Sequence, residues 1–372
     1  MKASGVFWAG HVFDRGGYGT VSRNYLKMLK LLKVPVHIYN IGPCHDELSN
    51  EDVRMLENIH RPISALGPNP LLIIHSLPDD FNRFDYLSFK RKIGVTIFET
   101  DRIPDHWINL CNQMNQIWVP SSFNYHTYTN AGVDKHIVKV VPYGIDVKFY
   151  NPCLYKPFKF PFQAKPFVFL YCAQMDYRKG FDLLIKSFCE EFNDCEEVSL
   201  FIKTYVHESI DIDAEAIIKS YIPKKENVPC IHVYNKKMPQ KELLSLYTSS
   251  NCYISTDRAC GWGMPQMEMM ALGKPVISIN WGGSTEFICD KNCFLIQPEN
   301  ELEPVDIQLM LTRPSLYLGH QWAKVKEEGV RKVMREAYEN EKKRAQIAQI
   351  GKEQILNKYS IESVSRIIES II

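Results

Sequence analysis

The chain has 372 residues, of which 45% are hydrophobic and 23% charged, and its formal net charge is +1. That length exceeds one typical core and predicts two domains. The near-zero charge argues against nucleic acid as a partner and leaves room only for peripheral membrane contact. The longest apolar runs, such as residues 167–173, fall far short of the roughly 18 residues that a membrane span needs. The N-terminal MKASGVFWAG reads as a first strand rather than a signal peptide, so a cytoplasmic location is expected. The eleven cysteines are odd in number, and Cys172, Cys189 and Cys252 sit in apolar or helical patterns where a thiol packs as a small hydrophobe. Cys289 and Cys293 are near metal-ligand spacing but lack a histidine cluster, so no metal is expected.

In chain order, an apolar strand at Val6–Trp8 runs into the loop AGHVFDRGGYGTVSRN, and a helix is expected from about Tyr18 to Leu32. Strand, glycine loop and helix is the order of a phosphate cradle, with Gly16 and Gly17 as its candidates, although these glycines also suit a plain tight turn. Arg23, Lys27 and Lys30 share helical spacing and read as a solvated face. Further strands are expected at Pro35–Tyr39, Leu71–His75, Ile93–Phe98, Ile117–Pro120 and Ile137–Val141. The four prolines of residues 151–166 mark a linker. Beyond it the scheme repeats, with strands at Phe167–Cys172, Val198–Thr204, Cys230–Tyr234, Cys252–Ser255, Pro275–Ile279 and Cys293–Ile296. Helical sequence from about Trp322 to Gln349, then Ile361–Ile372, closes the chain. Alternating strands and helices predict parallel sheets with covered faces. The expected domains are 1–151 and 152–355, with 356–372 a C-terminal helix that packs back on the first.

Within RACGWGMPQMEMMALGKPVISINWGGSTE, a helix is expected to start near Met264, with Pro265 in its first turn after Gly261 and Gly263. Its unpaired N–H groups would face an anion such as phosphate, and the small residues before it allow close approach. A second glycine turn, Gly282 and Gly283, leads to Thr285 and Glu286. Two loops at adjacent strand ends are where open parallel sheets bind ligands.

The ordered segments GGYGTVSRN, KIGVTIFETDRIPDHW, QIWVPSSFN, VPYGIDVKFYNP, DYRKGFDLLIKSF, LFIKTY and GWGMPQMEMMALGKPVISINWGGSTEFICDKNCFLI span nearly the whole chain. Together with GHQWAKV they resemble the retaining glycosyltransferases of family 4. The match is to a subgroup with Arg-Lys-Gly and Asn-Trp-Gly-Gly-x-Thr-Glu-Phe. The resemblance implies the GT-B fold, an α/β architecture of two Rossmann-like doubly wound domains facing a cleft. It implies transfer of a sugar, with retention, from a nucleoside diphosphate held mostly by the second domain. A UDP- or GDP-sugar is the expected donor, and a glycan, glycolipid or protein hydroxyl held by the first domain is the expected acceptor.

Charge builds on the diphosphate leaving group as the glycosidic bond breaks, so fixed cations are required there. Arg178, Lys179 and Lys203 end the first two strands of the second half and are assigned to it, which leaves no need for a metal or other cofactor. By resemblance, Glu268 accepts from the ribose hydroxyls, and Thr285 and Glu286 match donor-loop positions; capping a short helix is an equal alternative for Glu286. His75 matches a histidine near the sugar, and a satisfied core histidine is its alternative. Glu99 matches the subgroup as acceptor ligand or general base, with Asp101 as understudy. One departure stands out: the first glutamate of the family motif falls at Cys260, and a neutral thiol cannot replace a carboxylate. Asp257 is the candidate substitute. The departure keeps open a non-catalytic relative that binds a nucleotide sugar or serves an active partner. Asp211-Ile212-Asp213, despite a metal-binding spacing, reads as the cap of a helix from Ala214.

Overall fold

The computed structural model describes residues 3–42, 48–205, 213–236 and 238–372. The chain divides into two compact units, residues 1–147 with 357–372, and residues 148–356. The first unit runs β1 (Val6–Gly10), α1 (Gly17–Leu31), β2 (Val36–Asn40), α2 (Asn50–Ile59), β3 (Leu71–His75) and β4 (Arg91–Val95). It continues through α3 (Asp105–Asn112), β5 (Gln116–Val119), α4 (Ser122–Ala131) and β6 (Val138–Val140). Its six strands form a parallel sheet in the order β2-β1-β3-β4-β5-β6, with Val6 opposite Leu71 and Gly10 opposite His75.

The second unit holds β7 (Phe167–Gln174), α5 (Phe181–Glu191), β8 (Val198–Tyr205), α6 (Ala214–Ser220), β9 (Cys230–Tyr234), α7 (Gln240–Ser249), β10 (Cys252–Ser255) and α8 (Met264–Ala271). After these come β11 (Val276–Ile279), β12 (Phe294–Ile296), β13 (Leu302–Pro304), α9 (Ile307–Thr312), α10 (Pro314–Tyr317), β14 (Gln321–Ala323) and α11 (Glu327–Glu339). Its parallel sheet has the order β9-β8-β7-β10-β11-β12. Helix α12 (Glu341–Lys358) carries the chain out of this unit, and α13 (Ile361–Ile371) packs on α1 of the first.

Both sheets are apolar because helices cover parallel strands on both faces. Every residue of β1 and β3 is buried. On the second sheet, part of the cover comes from the proline-rich segment after Tyr155. Its prolines forbid a helix, and Phe158, Phe160 and Phe162 alternate inward to stack around Phe201 of β8.

Three expectations need correction. The strand expected at Ile93–Phe98 spans Arg91–Val95, so Glu99 lies in the loop before α3 rather than at a strand end. Trp322 does not begin a helix; it pairs antiparallel with Glu303 in a two-stranded sheet, and the helix starts at Glu327. Arg23 is not solvated. It is 8% exposed and donates to the carbonyls of Val12 and Asp14 at 2.9 and 2.7 Å, so its guanidinium holds the loop between β1 and α1. Asp213 does cap α6, accepting from the Ala216 amide at 3.0 Å; Asp211 and Ile212 lie outside the described residues.

Candidate functional site

In the second unit the connection order reverses between β7 and β10, so the loops leaving them diverge and open a crevice at their carboxyl ends. After β7, the Asp176 side chain accepts from the Arg178 amide at 2.8 Å and starts a single tight turn, Tyr177–Lys179. Gly180 ends it at φ 67°, where a Cβ would lie 2.0 Å from the Thr256 carbonyl oxygen. Only glycine fits there, and its absent side chain lets the turn press against the loop after β10. Lys179 Nζ consequently sits 2.6 Å from Asp257 Oδ2, and Arg178 donates to the Ala259 carbonyl at 2.9 Å. Burial pulls the Lys179 ammonium down, but Asp257 outweighs it and the net shift is upward. Arg258 binds both oxygens of Asp182, at 2.8 and 2.9 Å, and the Tyr177 carbonyl at 2.8 Å; it is a staple between the loops.

The loop from Cys260 then meets the glycine turn after β11. The Gly283 amide donates to the Cys260 carbonyl at 2.7 Å, and a Cβ on Gly283 would fall 1.6 Å from the Gly261 carbonyl oxygen. Gly263, at φ 98°, turns the chain into α8, with Pro265 in the first turn as expected. Thr285 is exposed and caps its own turn by donating to the Gly282 carbonyl at 2.7 Å, while Glu286 is half-buried at the end of that turn. Cys260 is 3% exposed, and burial, with Asp257 beside it, pushes its thiol up to about 12. The thiol is therefore neutral at physiological pH. Asp257, the candidate substitute for the missing glutamate, is engaged by Lys179 through Oδ2.

Glu268 sits in the second turn of α8 among the buried Met267, Met269 and Met270. Its Oε1 accepts from the Tyr150 hydroxyl at 2.9 Å, and Tyr247 bonds it as well. Burial raises the carboxyl to about 7 against the pull of these two hydroxyls. Lys203 lies on β8 opposite Cys172 of β7, 6% exposed, and burial lowers its ammonium. Among the described residues no carboxylate pairs with it; its ammonium donates to the Thr204 carbonyl at 3.3 Å. A buried cation of this kind suits an incoming anion.

The first unit has its own crevice between β1 and β3. A cavity of about 300 Å³ there is lined by His11, Tyr18, Ser76, Asp14, Asp79 and Asp80. His75, at the end of β3, is fully buried; its Nδ1 lies 2.7 Å from Ser22 Oγ and its Nε2 has no partner among the described residues. Burial lowers its imidazole to about 3, so the ring is neutral at physiological pH. Glu99 is half-buried; burial, with Glu99 and Asp80 nearby, raises the phenol of Tyr18. Gly16 takes the N-cap position of α1, and its amide donates to Asp14 at 2.7 Å. A Cβ on Gly17 would meet open space, whereas one on Gly19 would fall 1.7 Å from the Asp14 carbonyl oxygen, so Gly19 is the sterically required glycine of this loop.

The fold thus gathers Arg178, Lys179, Lys203, Cys260, Gly261, Gly263, Met264, Pro265, Glu268 and Gly283 around one sheet switch point. Gly16, Gly17, His75 and Glu99 lie on the other unit. Missed from sequence were Tyr150 and Tyr247, which hold Glu268, and His11 and Asp80, which line the first unit's cavity; an interaction across 118 residues leaves no local signal.

Residues 155–305 match the sequence profile of the family described as glycosyl transferases group 1. No curated protein matches the chain in sequence. Among solved structures, Anabaena HepE in complex with UDP and glucose is similar over 99% of each chain, with TM-score 0.68 and 14% identity. Sucrose-phosphate synthase from Thermosynechococcus elongatus covers 98% of this chain and 97% of its own, with TM-score 0.70 and 12% identity. A glycosyltransferase from Rickettsia africae covers 100% and 98%, with TM-score 0.68 and 14% identity. The two parallel six-stranded sheets and these likenesses define the GT-B fold, with two Rossmann-like domains. Among the described residues no helix is long and apolar enough to cross a membrane, and no cluster of three potential metal ligands occurs.

Proposed function

We propose that this chain is a retaining glycosyltransferase that moves a sugar from a nucleoside diphosphate to an acceptor hydroxyl. The observation that carries the reading is the switch point of the second sheet, where Arg178, Lys179 and the buried Lys203 gather with the start of α8 and the carboxyl of Glu268. Such a site offers cations and N–H donors to a diphosphate, where charge grows in the transition state, and an acceptor-only group to a ribose. The family profile over residues 155–305 and the UDP in HepE support a UDP-sugar donor, with a GDP-sugar as the other choice. Three cations supply the charge, so the proposal needs no metal. Retention rests on the resemblance of the sequence motifs.

In this reading Glu99 and the cavity of His11, Tyr18 and Asp80 serve the acceptor, a glycan, glycolipid or protein. By the resemblance of the motifs His75 is assigned to the sugar, and its Nε2 has no partner among the described residues. The second reading, a nucleotide-sugar-binding protein without turnover, draws on the neutral, buried Cys260. Phosphorus NMR with UDP-, GDP- and ADP-sugars in EDTA separates the two. Release of nucleoside diphosphate from one donor, abolished by Lys179→Ala, supports the transferase. Line broadening without release, with turnover appearing in Cys260→Glu, supports the binder, and no change with any donor or with acceptor sugars added contradicts both.

A further inference from the structure

The residue that attaches to the center of this site without belonging to either of its loops is Tyr150. It stands three positions into the second unit, is 5% exposed, and spends its hydroxyl on Glu268 Oε1 at 2.9 Å. An ionised carboxylate only accepts hydrogen bonds, so each tyrosyl hydroxyl that donates to it fixes its plane and occupies one of its acceptor sites. Tyr247 grips the same carboxyl and in turn bonds Cys172, which faces Lys203 across the β7–β8 pairing. Glu268 is therefore the middle of a chain of polar side chains on a helix whose neighbouring Met267, Met269 and Met270 are buried. A short helix turn alone would leave the carboxylate free to rotate about its side-chain torsions.

We propose that Tyr150 is a positioning residue that orients the Glu268 carboxylate, leaving its outward lone pairs aimed at the two hydroxyls of the donor ribose. The inference rests on the nucleotide-sugar reading of this site and adds the group that makes it selective for ribose over deoxyribose. A carboxylate bound to two vicinal hydroxyls discriminates a missing one only when its own geometry is held, because a free carboxylate re-pairs with water or with the remaining hydroxyl. Tyr150→Phe keeps the buried ring and removes only the donor atom, so packing around the entry to the second unit is preserved.

The test measures dissociation constants of UDP and 2′-deoxy-UDP, and of GDP and 2′-deoxy-GDP, by calorimetry on the full-length wild type, Tyr150→Phe and Glu268→Gln. The wild type is expected to prefer the ribonucleotide about tenfold or more, the scale of one hydrogen bond to a charged group. Glu268→Gln should erase most of that preference, and Tyr150→Phe should erase it to a similar extent while losing little affinity for the deoxynucleotide. Full ribose preference in Tyr150→Phe beside its loss in Glu268→Gln overturns the role of Tyr150 and leaves the nucleotide reading standing. Equal loss of affinity for both sugars in Tyr150→Phe reduces Tyr150 to a structural residue and also overturns the proposal. A wild type that binds none of the four nucleotides brings down the reading beneath it as well.

Discussion

The two Rossmann-like units treat the same topological opportunity with opposite chemistry. At the switch point of the second sheet three side chains are cationic; Arg178 and Lys203 lie against backbone carbonyls and Lys179 against a single carboxylate. At the switch point of the first sheet the cavity is lined by three carboxylates, a tyrosine and a histidine, above a neutral buried His75. A crevice at strand ends is given by connectivity; the charge placed in it decides what it takes. Cations and helix N–H groups suit a diphosphate, and carboxylates with hydroxyl-bearing side chains suit a polyhydroxylated acceptor.

Lys179→Ala should break the comparison most severely, because it removes phosphate charge and strands Asp257 in a buried position. Turnover is expected to fall about 100-fold or more, and urea denaturation should show a loss of about 3 kcal/mol.

Next in size is a contrast between glycine loops. Gly283→Ala forces a Cβ to within 1.6 Å of the Gly261 carbonyl oxygen and should destabilise the second unit by about 3 kcal/mol. Gly17→Ala places its Cβ in open space at the start of a helix and should leave stability unchanged or raise it by up to about 1 kcal/mol. Thermal melts of the two variants check the difference; equal losses would mean that the loops are not the distinct structures described above.

A smaller, pH-dependent effect belongs to Glu268, whose carboxyl burial raises from 4.5 to about 7. Below pH 4.5 the group is protonated in folded and unfolded chains alike and contributes no difference. As pH rises toward 7 it ionises first in the unfolded chain, which favours unfolding, and the penalty is complete above pH 7. Glu268→Gln should therefore be more stable than wild type by about 1–2 kcal/mol at pH 8 and equal to it at pH 4, as read by denaturant midpoints.

Much of this molecule was legible because its signals are local. Apolar runs bounded by glycine and proline marked the strands of both sheets, and glycines at 261 and 263 followed by Pro265 marked the start of α8. The same local logic failed where a distant partner decides the outcome. Arg23 has the spacing of a solvated face but is drawn under the β1–α1 loop by the carbonyls of Val12 and Asp14. Trp322 carries no strand signature, yet the antiparallel pairing with Glu303 and its indole bond to the Glu303 carboxylate at 3.1 Å hold it extended. In the site, the cations and Glu268 were visible as residue types at strand ends and on a helix. The ion pair that occupies Asp257 and the hydroxyl grip on Glu268 were not, since each joins segments far apart in sequence.

The central claim is that the crevice of the second unit holds the nucleoside diphosphate. Hydrogen–deuterium exchange of the full chain with and without saturating UDP or GDP tests it most directly, because it reports backbone amides segment by segment. Protection at residues 176–181, 260–268 and 282–286, strongest at the first turn of α8, is the predicted result. Protection confined to the loops after β1 and β3, or absent everywhere although the nucleotide binds, would contradict it.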